Sequence, residues 1–388
     1  MSLSFRWFCH LTREWKRTTI HPEERLKVTN MNEIIMMVMA AGALLGGLDR
    51  IIGNQFGLGE KFEEGFRLVG SLALSICGII CLAPVLADLL SGIVTPLFTA
   101  IGVDPGMFGS VLSIDMGGYP LATELALDAG VGSFSGIVAA SIFGCTLVFT
   151  IPVGLGATPR EESASFEKGL TYGLIIMPVA LVIGGLLSGM GLLGTVWQCM
   201  PIFVISGLLL LCMVKWMEKL LKGFGVFARC IEIVSTVGLV LGAVEYMTGM
   251  TILPGITPLK EAMGVACSIG IVMLGSLPMA ELLKVILKKP FRWFGEKTGM
   301  NSASTTGLIL GIVSGSACLV MVKDMDRRGI IVNAASLVCG CSCLAAHLGY
   351  TVSVEPNMVG ALLASKLLGA LLGAVVAVLA TSRKKISV

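Results

Sequence analysis

The chain has 388 residues, of which 55% are apolar and only 14% are charged, and its mean hydropathy is +0.89. Soluble globular domains carry about a quarter charged residues, so this composition excludes an ordinary soluble enzyme. The formal net charge of +3 does not indicate nucleic acid as a partner, and the sequence contains no phosphate-binding loop or nucleotide-binding cassette.

Charged residues are absent from several long stretches, each able to cross a bilayer core about 30 Å thick, which takes about 20 helical residues. The longest stretch can cross twice, with a turn near residues 188–191. The stretches are 68–87, 129–159, 169–214, 262–280, 298–322 and 329–354. The sequence therefore predicts an all-α polytopic membrane protein embedded in a lipid bilayer.

Residues 1–30 differ from the rest of the chain because they are rich in Lys, Arg and Trp. We interpret them as a basic N-terminal arm. Met31 opens the first apolar segment, so the arm could be a start-site extension. Residues 33–52 lack the small-residue cleavage site of a signal peptide, and we expect them to form a retained first transmembrane helix.

After the arm, two parts of the sequence resemble each other. Residues 82–90 and Pro96 align with residues 276–284 and Pro290 at one constant offset. Transporters are often built from structurally related halves, and the alignment is typical of such a repeat. Chance recurrence of two prolines in so apolar a sequence is the alternative.

The alignment predicts two transmembrane halves, residues 31–193 and 225–388, joined by a linking helix within residues 194–224. Each half contains a segment long enough for either one crossing or two short legs that enter the membrane and return. These segments are the predicted hairpins at residues 105–128 and 301–323. The chain has 11 spans if both segments cross and nine if both are re-entrant.

The positions of Lys and Arg favour nine spans. In that topology Met31 lies outside, and the basic residues after the arm lie inside. The exceptions are Lys260, which lies outside, and Lys366, which falls within the last span. With 11 spans the basic residues divide almost evenly, although cytoplasmic loops normally carry them. Nine spans make the two halves inverted relative to each other, which suits alternating access. The arm is contrary evidence, because its charges would lie outside.

The first hairpin contains an acid beside a break. Asp115 precedes Gly117 and Gly118, and Tyr119 and Glu124 follow on the returning leg. Carbonyl groups exposed at such a break, the negative end of a helix dipole and a carboxylate together favour a cation. Because a carboxylate within a membrane is usually functional, Asp115 and Glu124 are candidate binding residues. A solvated position in a vestibule or loop is the alternative.

The second hairpin has small hydroxylated residues and no charge at its centre. Ser314 and Ser316 could complete a polar cavity, or they could simply permit close helix packing.

Cys339, Cys343 and His347 are spaced four residues apart and are expected to share one helical face. A row on one rigid helix seldom converges tetrahedrally on a metal ion, so no metal site is predicted. His347 is instead a candidate for hydrogen bonding to substrate or for carrying a proton, with a satisfied buried histidine as the alternative.

Several of these elements, in this order, resemble the ethanolamine utilisation permease family (EutH). The resemblance begins near residue 31 and continues to the end of the chain. The element formed by Asp115, Met116, Gly117 and Gly118 is its most specific part, whereas Asp88 departs from the family pattern. The elements are 32–35, 49–50, 62–66, 82–87, 113–118, 124–125, 149–153 and 347–349.

The resemblance implies a multi-pass permease of the bacterial inner membrane that imports ethanolamine for degradation by a cobalamin-dependent lyase. No cofactor is predicted for the permease itself, and a homo-oligomer is left open. The alternatives are an ion-coupled symporter of another small amine or amino acid, and a membrane-embedded enzyme or structural subunit.

Ethanolamine is a primary amine and is therefore an ammonium cation at neutral pH. We expect Asp115 to pair with this ammonium beside the carbonyl groups of Gly117 and Gly118, with the ring of Tyr119 covering it. The candidates for binding the substrate hydroxyl are His347, Ser314 and Ser316.

Overall fold

The computed structural model describes residues 31–112, Met116 and residues 118–382, which are mainly helical and include no β-strand. The predicted N-terminal arm lies outside the described residues. In chain order the helices are α1 (Met31–Ile51), α2 (Leu58–Ala100), α3 (Met107–Val111), α4 (Gly118–Leu125), α5 (Ala129–Ala157), α6 (Ser163–Leu187), α7 (Leu192–Gln198), α8 (Met200–Thr248), α9 (Leu259–Thr298), α10 (Ser302–Val313), α11 (Gly315–Val320), α12 (Arg327–Gly340), α13 (343–354) and α14 (Val359–Ser382).

Eight helical segments of the described chain are long and apolar enough to cross a membrane. The pair Leu192–Gln198 and Met200–Met213, bent by 52°, makes a ninth if it forms one span. The eight segments are Glu33–Ile51, Leu58–Ala100, Ala129–Ala157, Arg160–Leu187, Lys215–Thr248, Leu259–Leu287, Arg327–Val354 and Pro356–Ser382. The predicted all-α polytopic fold is therefore confirmed.

The two segments predicted as hairpins form short helices separated by breaks. In the first, α3 has 5 residues and α4 has 8 residues. In the second, α10 has 12 residues and α11 has 6 residues. At about 1.5 Å per residue, none of these helices reaches across a hydrocarbon core about 30 Å thick. We refer to them as the first hairpin (α3 and α4) and the second hairpin (α10 and α11).

Two long helices, α2 and α9, pack against each other, and each contains two prolines. Helix α8 crosses α2 where Gly78 faces Ser235 and Gly238 faces the carbonyl group of Gly78. A methyl group on either glycine would overlap the opposite backbone, so glycine is required for this close approach.

The predicted turn near residues 188–191 is also confirmed, since α6 ends at Leu187 and α7 begins at Leu192. Gly189 and Gly191 have φ angles of +83° and +70° there, a conformation that glycine adopts without steric strain.

Two of the spans are irregular near their middle. Helix α5 contains π-helical stretches at Phe134–Gly144 and Thr146–Thr150. The other span is interrupted between α12 and α13, where Ser342 has a left-handed conformation with φ +53°. Such irregular backbone is tolerated at membrane depth only where protein or a polar cavity covers it. The interruptions therefore mark the region in which a polar site can exist.

Each hairpin is closed at its base by an aspartate. The Asp104 carboxylate accepts hydrogen bonds from the backbone N–H groups of Gly106, Leu127 and Asp128, at 2.7 to 3.2 Å. At the second hairpin, Asp326 accepts from the N–H of Asn301 at 2.9 Å, from the Ser304 hydroxyl and from the N–H of Gly329. These carboxylates hold the two ends of each hairpin together, and Asp326 also caps the beginning of α12.

Candidate functional site

A cavity of about 210 Å³ lies at the tip of the second hairpin. Ser314 and Ser316 contribute their hydroxyl groups, which are 3.0 Å apart, and Ser342 contributes a third hydroxyl from the interruption between α12 and α13. Since a water molecule occupies about 30 Å³ of liquid, the cavity has room for a small polar solute. The two predicted serines are thus brought together at one polar surface.

The tip of the hairpin is fixed to the interrupted span by two backbone contacts. The N–H of Gly315 donates to the Ser342 hydroxyl at 3.0 Å, and the N–H of Ser342 donates to the carbonyl of Gly311 at 3.0 Å. A side chain on Gly315 would collide with the sulfur of Cys341, so only glycine allows this approach. The hydroxyl groups of the cavity are therefore held by a defined backbone geometry.

Glu64 of α2 brings a carboxylate to the same cavity. Its Oε2 atom forms an ion pair with Lys61 at 2.5 Å, and its side chain is 44% exposed. An ion pair this exposed stabilises the protein little, because water screens it, so the carboxylate can exchange Lys61 for another cation. Glu64 lies inside the element 62–66 that carries the family resemblance, yet nothing local in the sequence connects it with the second hairpin.

The remaining wall of the cavity is apolar. Leu68 and Leu72 of α2, Phe149 of α5, and Met273 and Leu277 of α9 line it. An aromatic ring in the wall of such a cavity favours an organic cation, since the face of the ring carries negative charge density. The arrangement of hydroxyl groups, one carboxylate and apolar walls fits a small solute with both an ammonium and a hydroxyl group.

Tyr119 belongs to a second polar cluster, formed with Glu355, Ser133 and Tyr350. Its hydroxyl donates to the Oε2 atom of Glu355 at 3.3 Å, and Ser133 donates to the same atom at 3.4 Å. The ring of Tyr119 meets that of Tyr350 edge to face, with centroids 6.4 Å apart. The Tyr350 hydroxyl is buried and makes no hydrogen bond to any described residue. Sequence reasoning missed Glu355, although it is the first charge after the apolar stretch 329–354.

The other candidates on the first hairpin are separated from these clusters. Asp115 and Gly117 lie outside the described residues. Gly118 is buried at the first position of α4. Glu124 is exposed near the end of α4 and is not part of the wall of the cavity described above.

His347 is buried, with 2% exposure, one helical turn beyond the interruption at Ser342. Its Nδ1 atom lies 3.0 Å from the carbonyl oxygen of Cys341, so Nδ1 carries a proton and donates to that carbonyl. Ala345 and Ala346 line the cavity, which places His347 directly after its wall in sequence.

The expectation that Cys339, Cys343 and His347 share one helical face is wrong. Helix α12 ends at Gly340, and the left-handed residue Ser342 separates Cys339 from the other two. The sequence spacing assumed a continuous helix, which the interruption removes. Across residues 31–112, 116 and 118–382, no group of three or more His, Cys, Asp and Glu side chains is arranged to hold a metal ion.

Residues 31–380 match the family model described as "Ethanolamine utilisation protein, EutH". The chain is 39% identical to "Probable ethanolamine permease EutH" of Listeria monocytogenes over 355 residues, which cover 91% of this chain and 95% of the relative. It is 32% identical to the protein of the same name in Escherichia coli, with 87% and 93% covered. It is 35% identical to "Uncharacterized protein YxeR" of Bacillus subtilis, with 89% and 94% covered. No solved structure matches the chain significantly.

Proposed function

This chain belongs to the EutH family, and we propose that it imports ethanolamine, in the ammonium form, across the bacterial inner membrane. The relatives from Listeria monocytogenes and Escherichia coli are named probable ethanolamine permeases, so the chain is a multi-pass transporter and not an enzyme. The observation that carries the proposal for the substrate is the cavity at the second hairpin. It combines the hydroxyl groups of Ser314, Ser316 and Ser342 with the carboxylate of Glu64.

The two functional groups of ethanolamine have matching partners in this cavity. The ammonium pairs with Glu64, and the hydroxyl group exchanges hydrogen bonds with the serines at the hairpin tip. A desolvated ammonium needs such a carboxylate or a set of carbonyl groups, because an unpaired charge is strongly disfavoured away from water. Discrimination against plain alkylamines then comes from the serines, which would be left without partners.

We further propose that three carboxylates mark the path of the cation. Glu355 lies at the carboxyl end of α13, which the distribution of Lys and Arg assigns to the outside of the membrane. Glu64 lies near the amino end of α2, which the same distribution assigns to the inside. Asp115, at the tip of the first hairpin, remains the proposed counter-charge between them. The ammonium passes from one acid to the next as the protein changes conformation.

Alternating access by two inverted halves is the proposed conformational mechanism. It is supported by the order of elements, which recurs along the chain: a long helix with two prolines, a hairpin, an irregular span and a further span. In the proposed nine-span topology, an odd number of spans separates equivalent elements, so the halves have opposite orientations.

The membrane potential is sufficient to drive uptake. It contributes about 2.3 kcal/mol per charge at ~100 mV, which corresponds to roughly fifty-fold accumulation of a monovalent cation. No second ion is required for accumulation of this size.

The test is uptake of labelled ethanolamine by proteoliposomes under an imposed potential. We expect the wild type to accumulate the label, and Glu64→Gln to lower uptake by about tenfold, the loss expected for a charged hydrogen bond. Glu218→Gln is the matched control, because Glu218 is an exposed acid on α8 outside the cavity. The proposal would be contradicted if wild-type uptake did not depend on the imposed potential, or if Glu64→Gln took up as much ethanolamine as Glu218→Gln.

A further inference from the structure

Lys366 is the one charged side chain among the fully buried residues of the described chain, with 0% exposure. It lies in α14, and its Nζ atom donates to the backbone carbonyl of Ser141 at 2.6 Å. No described Asp or Glu forms an ion pair with it. Burying an ammonium without a carboxylate is costly, so its presence at this position requires an explanation.

The side chain lies between the two irregular spans. Ser141 belongs to the π-helical stretch Phe134–Gly144 of α5. On the other side, the thiols of Cys339 and Cys343 are close enough to the Lys366 charge to interact with it electrostatically, and they flank the interruption after α12. A single cation therefore contacts the irregular backbone of one span and lies near the break in the other.

The local electrostatics favour a positive charge at this place. Helix α12 ends at Gly340, beside Cys339, and the carboxyl end of a helix carries a partial negative charge. In transporters with interrupted helices, irregular backbone carbonyls and the carboxyl ends of half-helices are the groups that coordinate a coupling cation. Lys366 donates to one such carbonyl, that of Ser141, from within the chain, and its charge lies near the thiols on either side of the end of α12.

We propose that Lys366 is a resident cation that occupies the position a coupling metal ion would take at the interrupted spans, so that import requires no co-transported metal ion. This inference rests on the proposed function, since it concerns what accompanies the imported ammonium. In this proposal the ammonium of Lys366 balances the partial negative charges of the Ser141 carbonyl and of the end of α12 throughout the transport cycle.

Lys366→Met separates a resident cation from a purely structural lysine. A structural lysine predicts that stability and uptake are lost together. A resident cation predicts that uptake alone is lost, because replacing a buried charge with an apolar side chain of similar volume is usually neutral or stabilising for the fold.

The first measurement is uptake by proteoliposomes in NaCl, KCl and choline chloride at the same imposed potential. We expect equal wild-type uptake in all three salts. Lys366→Met should reduce uptake by about tenfold or more, with a thermal midpoint at or above that of the wild type. Ser365→Ala is the matched control, because Ser365 is equally buried and neighbours Lys366. We expect it to retain uptake.

A second measurement does not depend on transport. Lys366→Ala removes the cation and leaves space, so about 100 mM Na⁺, compared with choline, should raise the thermal midpoint of this purified variant by roughly 2–4 °C. The wild type should show no Na⁺-specific shift.

Three results would overturn the inference: wild-type uptake that depends on Na⁺, wild-type rates in Lys366→Met, or joint loss of stability and uptake in that variant. If the wild type shows no uptake in any salt, the proposed function fails, and the Na⁺-specific shift of Lys366→Ala alone decides for or against the resident cation.

Discussion

The two hairpins are closed at their bases by the same device, an aspartate that accepts backbone hydrogen bonds, but their tips differ in chemistry. The second tip presents hydroxyl groups to a cavity and is bonded to Ser342 of the interrupted span. In the sequence the acid Asp115 falls between the two legs of the first hairpin, and the returning leg places Tyr119 against Glu355. The two hairpins thus share one scaffold but carry different polar groups at their tips.

This difference suggests a division of roles in recognising an amino alcohol. Hydroxyl groups alone cannot replace the hydration of an ammonium, and a carboxylate alone does not distinguish an amino alcohol from any other amine. We therefore expect variants of the first tip to block passage of the cation and variants of the second tip to weaken selectivity.

Asp115→Asn should lower ethanolamine uptake by about a hundredfold or more, since it removes the counter-charge of a desolvated cation. The measurement is labelled uptake in cells, with the amount of protein in the membrane determined by immunoblotting. Normal uptake in the presence of normal protein levels would remove Asp115 from the site and leave Glu64 as the acid that binds the substrate.

Asp104→Asn should destabilise the first hairpin by about 2–4 kcal/mol, because an amide offers one acceptor oxygen where the carboxylate serves three N–H groups. Asp326→Asn should have a smaller effect, since Asp326 is less buried. Thermal unfolding of the purified variants gives both values. A larger loss of stability in Asp326→Asn would show that burial of the carboxylate does not decide how much it stabilises its hairpin.

Ser314→Ala and Ser316→Ala should each raise the KM for ethanolamine by about fivefold, the value of one lost neutral hydrogen bond. Competition by ethylamine, which lacks the hydroxyl group, should remain unchanged in these variants. If ethylamine competition weakens equally, the serines support packing of the tip and do not read the hydroxyl.

Tyr119→Phe should change uptake by only about twofold, because the hydrogen bond to Glu355 is long at 3.3 Å and the ring contact with Tyr350 is kept. Tyr119→Ala, which also removes the ring, should reduce uptake further. Equal effects of the two substitutions would assign the role to the hydroxyl group and not to the aromatic face.

The sequence predicted the spans, the hairpins and the turn at residues 188–191, because long apolar stretches, prolines and glycines act locally. It also predicted that Ser314 and Ser316 could face a polar cavity. Glu64 and Ser342 could not be assigned to that cavity, since their approach depends on how α2 and the interrupted span pack against the second hairpin. The grouping of Cys339 with His347 failed for the same reason, because the break at Ser342 is held by a tertiary contact.

The two hydrogen bonds between Ser342 and the second hairpin also constrain how the protein can move. Separating the hairpin from the broken span would require both bonds to open, at about 1 kcal/mol each. The second hairpin and the adjoining half of the interrupted span should consequently move together as one rigid unit. Bending should then be concentrated in the long proline-containing helices α2 and α9.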